Sequence, residues 1–491
     1  MTGLPPRIHP LVRSFLADEA AMAGMLARWG SPLNVLFPEI FAANVAGFVG
    51  ELDACGLRYR ICYAHKANQG RAFVRAALAA GIGIDVASAG ELRSALAAGF
   101  PASRIEATGP KGRDFLGILV GSGVTINVDN LWELTQIVNL ARAGACHGSS
   151  RVPVLVRLCG FGLAKPGPRR PSRFGVPVTR YESVIDLLGT AGESVDFLGL
   201  SFHLDSSEVA DRVPAVDECL RFLERAWAAG LSPRILDVGG GFRQAFADDP
   251  GTFEAYARAV KCGLTGQGKP LTWGGATLGY RYEDGGIRGG LVSAKYAGTA
   301  GGPAFLRELA ASPLPGQDGR PVARVLRENM IELWLEPGKS LVDHAGLTLA
   351  SVEFVKEASD ASVLVNLDIS RDKVCPGDQE VMIDPVIVYR SRARSPDGPP
   401  AGVFFAGNLC LERDMIFNRL TFVDRTPEPG DIVAFINTAG YQMDLSASAG
   451  LMQRQPAKAV IRSTADGFAA RADTDDQDEE AGTCSTSTSP S

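Results

Sequence analysis

Residues 61–68, ICYAHKAN, place an amine where apolar sequence stops. The run reads as a short buried strand ending at Lys66, with a helical pattern over 69–80 behind it. Such a lysine either snorkels out at a rim or acts as a Schiff-base nucleophile, reactive when desolvated or electrostatically depressed. Other strand ends carry equally usable groups. Asp85 closes an apolar run, and Ser88 with Glu91 follows it, a pairing that suits a capping box at a helix start. The stretch LSFHLDS (200–206) ends at His203 and Ser206, an imidazole able to stack on a flat ring and a hydroxyl able to bind phosphate. In LDVGGGF (236–242), Gly239, Gly240 and Gly241 bring backbone N–H groups close to an anion, or simply make a turn. Neither GxGxxG spacing nor a Walker lysine accompanies them. Glu336 opens EPGK at another strand exit, as a solvated rim charge or as the partner of a protonated ring nitrogen. Cys410 in GNLCLERD and Tyr441 in AGYQMD lie further on, and a lone cysteine is commonly just a small buried residue.

The elements that must hold these groups follow a strand–helix alternation. Strands are expected at 60–66, 82–87, 104–108, 124–128, 152–158, 195–203, 234–238 and 331–336, with helical patterns between them. That count predicts a (β/α)8 barrel, with a doubly wound sheet as the alternative. Residues 243–330 exceed any ordinary crossover and imply a lid, a small subdomain or disorder. Beyond Glu336 the chain becomes strand-rich with Pro and Gly turns, which predicts a second, all-β domain.

Composition narrows the function classes. Of 491 residues, 46% are hydrophobic and 21% charged, enough for a sizeable core. No run approaches the ~20 apolar residues of a membrane span. The net charge of −6 resides in the tail, where Asp473, Asp475, Asp476, Asp478, Glu479 and Glu480 precede a Ser/Thr run. The body is therefore near neutral, which removes support for nucleic-acid binding. Nine scattered cysteines without CxxC pairs suit a reducing cytoplasm, and five histidines without HxH or HExxH spacing give no metal site.

Taken in order, the motifs resemble those of the fold-type III pyridoxal-phosphate (PLP) decarboxylases, the ornithine and diaminopimelate decarboxylase family. YAHKAN (63–68) is similar to its lysine strand, IDVASAGEL (84–92) to the second strand, LSFHLDS to the histidine strand and LDVGGGF to the phosphate loop. EPGK is similar to its pyridine-facing strand end, and GNLCLERD and AGYQMD to its two β-domain motifs. The resemblance implies an alanine-racemase-like barrel over 38–340 and a β domain over 341–465, completed by a strand from the segment 1–37; the acidic and Ser/Thr composition predicts a disordered tail over 466–491. It implies that Lys66 carries PLP as a Schiff base, His203 stacks on the ring and Glu336 pairs with the pyridinium. Gly239, Gly240, Gly241, Ser206, Lys339 and Tyr441 are implied around the phosphate, with Asp85 and Arg157 beside the ring. Cys410 and Asp414 are implied to reach in from the neighbouring subunit of a homodimer with shared sites, Cys410 reprotonating the quinonoid carbon after carbon dioxide leaves. Asp384, Glu412 and Asp414 are implied substrate contacts.

The departures concern the substrate. Lys339 stands where the family usually has arginine, Leu411 where an acidic residue follows the cysteine, and Ala439-Gly440 reverses the usual order. With the long 243–330 segment, these shift the expectation from a simple diamine precursor to a modified or conjugated amino acid. Racemisation on the same barrel and a catalytically degenerate homologue are the alternatives; alanine racemases resemble this barrel but place arginine, not glutamate, at the pyridine nitrogen.

Overall fold

The structure, a computed structural model, describes residues 3–145, 151–162, 171–206, 208–292, 294–377, 381–390 and 400–475. Eight parallel strands follow in chain order: Tyr59–Ala64, Gly83–Val86, Ile105–Ala107, Thr125–Val128, Val152–Cys159, Val195–Phe202, Ile235–Asp237 and Glu332–Leu335. Each pairs with its successor, and the ring closes where Leu333 lies against Tyr59. Closure excludes the doubly wound sheet and establishes the (β/α)8 barrel. The strands are buried along most of their length, since helices cover one face and side chains fill the other. Hence they read as apolar runs rather than as a two-residue alternation.

Alternate strand residues share a face, and the inward set changes character along the barrel. Leu155, Ile235 and Trp334 pack together low in the interior. Two residues further along the same strands stand Arg157, Asp237 and Glu336, so the polar layer meets the carboxyl-terminal mouth. Active sites of this barrel class lie at that mouth.

The second domain is a curled, mostly antiparallel sheet. Its central strand comes from the opposite end of the chain: Leu33–Leu36 pairs antiparallel with Gly346–Glu357 and parallel with Ala457–Thr464. The expected completion by an N-terminal strand is therefore observed. The long strand Gly346–Glu357 also pairs with Val363–Leu367 and Ile432–Ile436, and an apolar cluster including Phe405, Phe417 and Phe435 lies beneath it.

Two expected boundaries change. The disordered tail does not begin at 466, because Gly467–Ala472 pairs antiparallel with Ala457–Thr464. Just beyond it, the Asp473 carboxylate accepts from the Arg71 and Ala72 N–H groups, at 2.9 Å each. It caps helix Arg71–Ala79, whose own N-cap residue Gly70 has no side chain to do so. The remainder of the expected tail, 476–491, lies outside the described residues. Secondly, the 243–330 segment is folded over its described residues. It contains helix Pro250–Leu264 and hairpin Tyr280–Glu283/Gly286–Gly289, while helices Gly302–Ala311 and Val322–Glu328 complete the last barrel crossover. The segment docks on the β domain, with Leu420 N–H donating to Leu271 O at 2.9 Å and the Trp273 and Phe404 rings 5.3 Å apart. Among the described residues no helix is long and apolar enough to cross a membrane.

Candidate active site

Strand Tyr59–Ala64 runs into a tight turn, His65–Ala67, which lifts Lys66 into the barrel mouth. Asn68 secures this turn, donating to Ala439 O at 2.9 Å and accepting from Gly70 N–H at 2.8 Å, so the following helix starts at Arg71 rather than at 69. The Lys66 side chain is 34% exposed and opens into a cavity of about 560 Å³. Its Nζ lies 3.5 Å from Asp85 Oδ2. The buried Asp85 accepts from the Thr108 hydroxyl at 2.6 Å through Oδ1, while Oδ2 has no hydrogen-bond partner. Burial opposes the lysine's charge, but the facing Asp85, followed by Tyr441 and Glu336, outweighs it and holds the amine above its ordinary range. Asp85 thus acts against electrostatic depression of the amine.

His203, one residue past strand Val195–Phe202, lines the same cavity. Its Nδ1 accepts from Gly240 N–H at 3.1 Å, which puts the proton of the neutral ring on Nε2. Burial, then the charges of Lys66 and Arg157, hold its pKa well below the ordinary histidine range. The glycine loop explains itself by close approach. A Cβ at Gly239 would strike Phe202 O, one at Gly240 would come within 2.5 Å of Glu336 O, and one at Gly241 within 2.6 Å of Leu204 O. Gly239 and Gly241 also have φ of 70° and 76°, which glycine adopts without strain. Gly241 lines the cavity, whereas Gly239 and Gly240 pack behind it. Ser206, Lys339 and Tyr441 line it too, and Arg157 enters with its guanidinium 4.6 Å from the Phe174 ring. Tyr441 holds φ 68°, an uncommon conformation for a large side chain.

Glu336 lies on the floor, in a buried acidic cluster. Carboxylate oxygens of Glu106, Asp237 and Glu336 all lie within 4.8 Å of one another. Asn127 Nδ2 donates to Glu106 at 3.0 Å and to Glu336 at 3.3 Å, and its Oδ1 accepts from Ser201 at 2.6 Å. Burial first, and neighbouring carboxylates second, push all three groups well above the usual carboxylate range. The crowding favours protonation within the cluster, and the Asn127 amide donates to two of its three members. Sequence reasoning missed Glu106 and Asn127. Their signal was a polar residue inside each of the short strands Ile105–Ala107 and Thr125–Val128.

Four expected site residues are elsewhere within the chain. Asp384 pairs with the buried Arg419 at 2.6 Å and accepts from Leu4 N–H. Asp414 accepts from Arg371 N–H at 2.8 Å and Leu409 N–H at 2.7 Å, tying down its own loop. Both carboxylates make structural hydrogen bonds within their own chain, and neither lines this chain's cavity. Cys410 and Glu412 are exposed on that loop and do not line the cavity. Glu91 fulfils the capping reading: its N–H donates to Ser88 Oγ at 3.1 Å, and its carboxylate accepts from Ala87 N–H at 2.6 Å.

A strand-end amine, a neutral imidazole, a floor acid and a glycine turn around one cavity define a site for a flat, phosphorylated aldehyde heterocycle. PLP fits these residues, and Asp85 Oδ2, buried and without a hydrogen-bond donor, faces the amine it would anchor. The comparisons agree. Residues 44–267 match the family described as pyridoxal-dependent decarboxylase, pyridoxal binding domain. An uncharacterized protein of Sinorhizobium fredii is 32% identical over 475 residues, covering 95% of both chains. The diaminopimelate decarboxylase of Bacillus methanolicus is 24% identical, covering 88% of both. The crystal structure of Helicobacter pylori diaminopimelate decarboxylase complexed with L-lysine aligns with a TM-score of 0.64 at 16% identity, covering 91% of this chain and 95% of that one. The chain belongs to the fold-type III PLP-dependent decarboxylases, and PLP is its cofactor.

Proposed function

We propose that the chain decarboxylates an amino acid or amino-acid derivative, as a cytoplasmic homodimer with shared sites. The observation that carries this is the convergence of Lys66, His203 and Glu336 on one cavity beside Gly241, Ser206 and Tyr441. PLP, when bound, supplies the electron sink for the pair released as the Cα–carboxylate bond breaks.

The chain's own groups have separable tasks. Lys66 would hold the cofactor and must first lose a proton, a loss that the facing Asp85 carboxylate opposes. His203 presents a neutral ring face whose tilt is fixed by Gly240. Glu336 would keep a ring nitrogen protonated, helped by Asn127 from below. Gly241, Ser206, Tyr441 and Lys339 would hold the phosphate, and Arg157 would lie beside the ring. Phe161 and Phe174 wall the cavity against water. Cys410, exposed in its own chain, would return a proton to the substrate carbon in the neighbouring subunit's site, with Glu412 nearby.

A larger substrate than a simple diamine precursor is supported by a second cavity of about 340 Å³. It shares Asp205, Ser206, Gly241, Phe242 and Lys339 with the first and reaches residues 297–300 of the long segment. The test is a screen for carbon dioxide release over free and conjugated amino acids, alongside the visible spectrum of wild type and Lys66→Ala. The wild type should be yellow and release carbon dioxide from at least one class, and the variant should be colourless and inactive. A wild type left colourless by added PLP would sink the reading; a yellow protein that releases none would point to the degenerate homologue.

A further inference from the structure

A buried cation stands behind the glycine loop. Arg212, at the start of helix Val213–Ala228, is 0% exposed. Its Nη1 donates to Val238 O at 2.9 Å, and its Nη2 donates to Leu204 O at 2.9 Å and Gly240 O at 2.6 Å. These carbonyls belong to the two loops that carry His203, Ser206 and Gly241. All three acceptors are neutral, and the Nε is buried with no hydrogen-bond partner. The Phe242 and Phe305 ring centres lie 5.4 and 5.2 Å from the guanidinium carbon. Asp205, the carboxylate whose charge acts on Arg212, is itself exposed to solvent.

A buried guanidinium without a carboxylate at hand is costly, and such groups persist where an anion completes them. Gly241 shows where that anion would lie. A Cβ there would come within 2.7 Å of Arg212 Nη2, yet Gly241 also lines the cavity, so little more than its backbone separates the cation from the ligand. The bond to Gly240 O polarises the same peptide unit whose N–H belongs to Gly241, making that donor stronger.

We propose that Arg212 is a positioning residue for the cofactor's phosphate, supplying from behind the loop a positive charge that favours the dianion. The proposal rests on the reading that the phosphate lies against Gly241, Ser206 and Tyr441. It also gives Lys339, a point charge in place of a bidentate fork, a second cation to work with.

The test compares PLP with pyridoxal, which lacks the phosphate, binding to apo wild type, Arg212→Met and Arg212→Lys. Arg212→Met should weaken PLP by about tenfold or more, the scale of one charge-assisted contact, while pyridoxal changes less than about twofold. Arg212→Lys should recover part of the loss. The ³¹P resonance of bound PLP should titrate at higher pH in Arg212→Met, since a removed cation no longer favours the dianion. Equal weakening of both ligands, or an unmoved ³¹P titration, would show a purely structural clasp and overturn the proposal. If Arg212→Met does not fold, Arg212→Lys decides by the same ratio: a PLP loss no larger than the pyridoxal loss counts against it. A wild type that binds PLP no better than pyridoxal would overturn the phosphate reading itself, and this proposal with it.

Discussion

Glu106 and Glu336 share one hydrogen-bond donor, the Asn127 amide, at 3.0 and 3.3 Å. Two buried acids on one neutral donor cannot both be comfortable as anions, and Asp237 adds a third.

A pH signature follows for the apo-protein. Because the folded-state pKa of Glu106 is raised, the folded chain binds more protons than the unfolded one above about pH 4.5. Its contribution is fully present below that pH and is lost as pH rises through the folded value. Glu106→Gln keeps the shape and removes the ionisation, so its Tm should fall less steeply than that of wild type above pH 4.5. Parallel Tm-against-pH curves would show that Glu106 does not titrate with the cluster.

Asp85 makes the opposite prediction for the lysine. Its carboxylate is the main charge holding the Lys66 amine protonated. Asp85→Asn should make the amine more acidic, so a larger fraction is neutral and reactive at about pH 8. Apo-protein should then recombine with PLP faster, by about tenfold for each pH unit that the titration midpoint moves down. Stopped-flow absorbance over a pH series reads this directly, and an unchanged or raised midpoint would assign the control to another group.

Complementation tests the shared site. Lys66→Ala and Cys410→Ser chains, each inactive alone, should regain up to about a quarter of wild-type activity when unfolded together and refolded, because random pairing leaves one intact site in half of the dimers. Mixtures that stay inactive while dimers form would place Cys410 outside the site.

At the far end of the chain, Asp473→Ala removes the acceptor for the Arg71 and Ala72 N–H groups. The cost should be about 1 kcal/mol, as for other lost helix caps. Denaturant melts read it, and a change under ~0.3 kcal/mol would mean that water satisfies those amides equally well.

Lys66, His203 and Glu336 were legible because each stands where an apolar strand ends, and a polar residue there needs a reason. Glu106 and Asn127 were not, since a strand of three or four residues has no period against which one polar side chain stands out. Asp384 and Asp414 show another limit of sequence reading. A carboxylate in a turn looks the same in sequence whether a ligand or its own loop's backbone N–H groups will claim it, and here Arg419 and the 409–414 loop did. The hairpin strand Gly467–Ala472 was hidden by its small residues, GFAARA, which show no clear two-residue alternation, beside an acidic tail that dominated the reading. The barrel was the easiest part, because eight buried parallel strands must repeat one pattern to close.

The strand Leu33–Leu36 lies between a neighbour made after the whole barrel and another made near the end of the chain. Its two edges must therefore wait, unpaired, while most of the polypeptide is synthesised. An edge of four buried residues is short enough to wait without recruiting the wrong partner. Neither half can be cut free: a fragment ending after the barrel keeps a strand with no sheet, and a fragment beginning at 341 has a sheet with a gap through its middle.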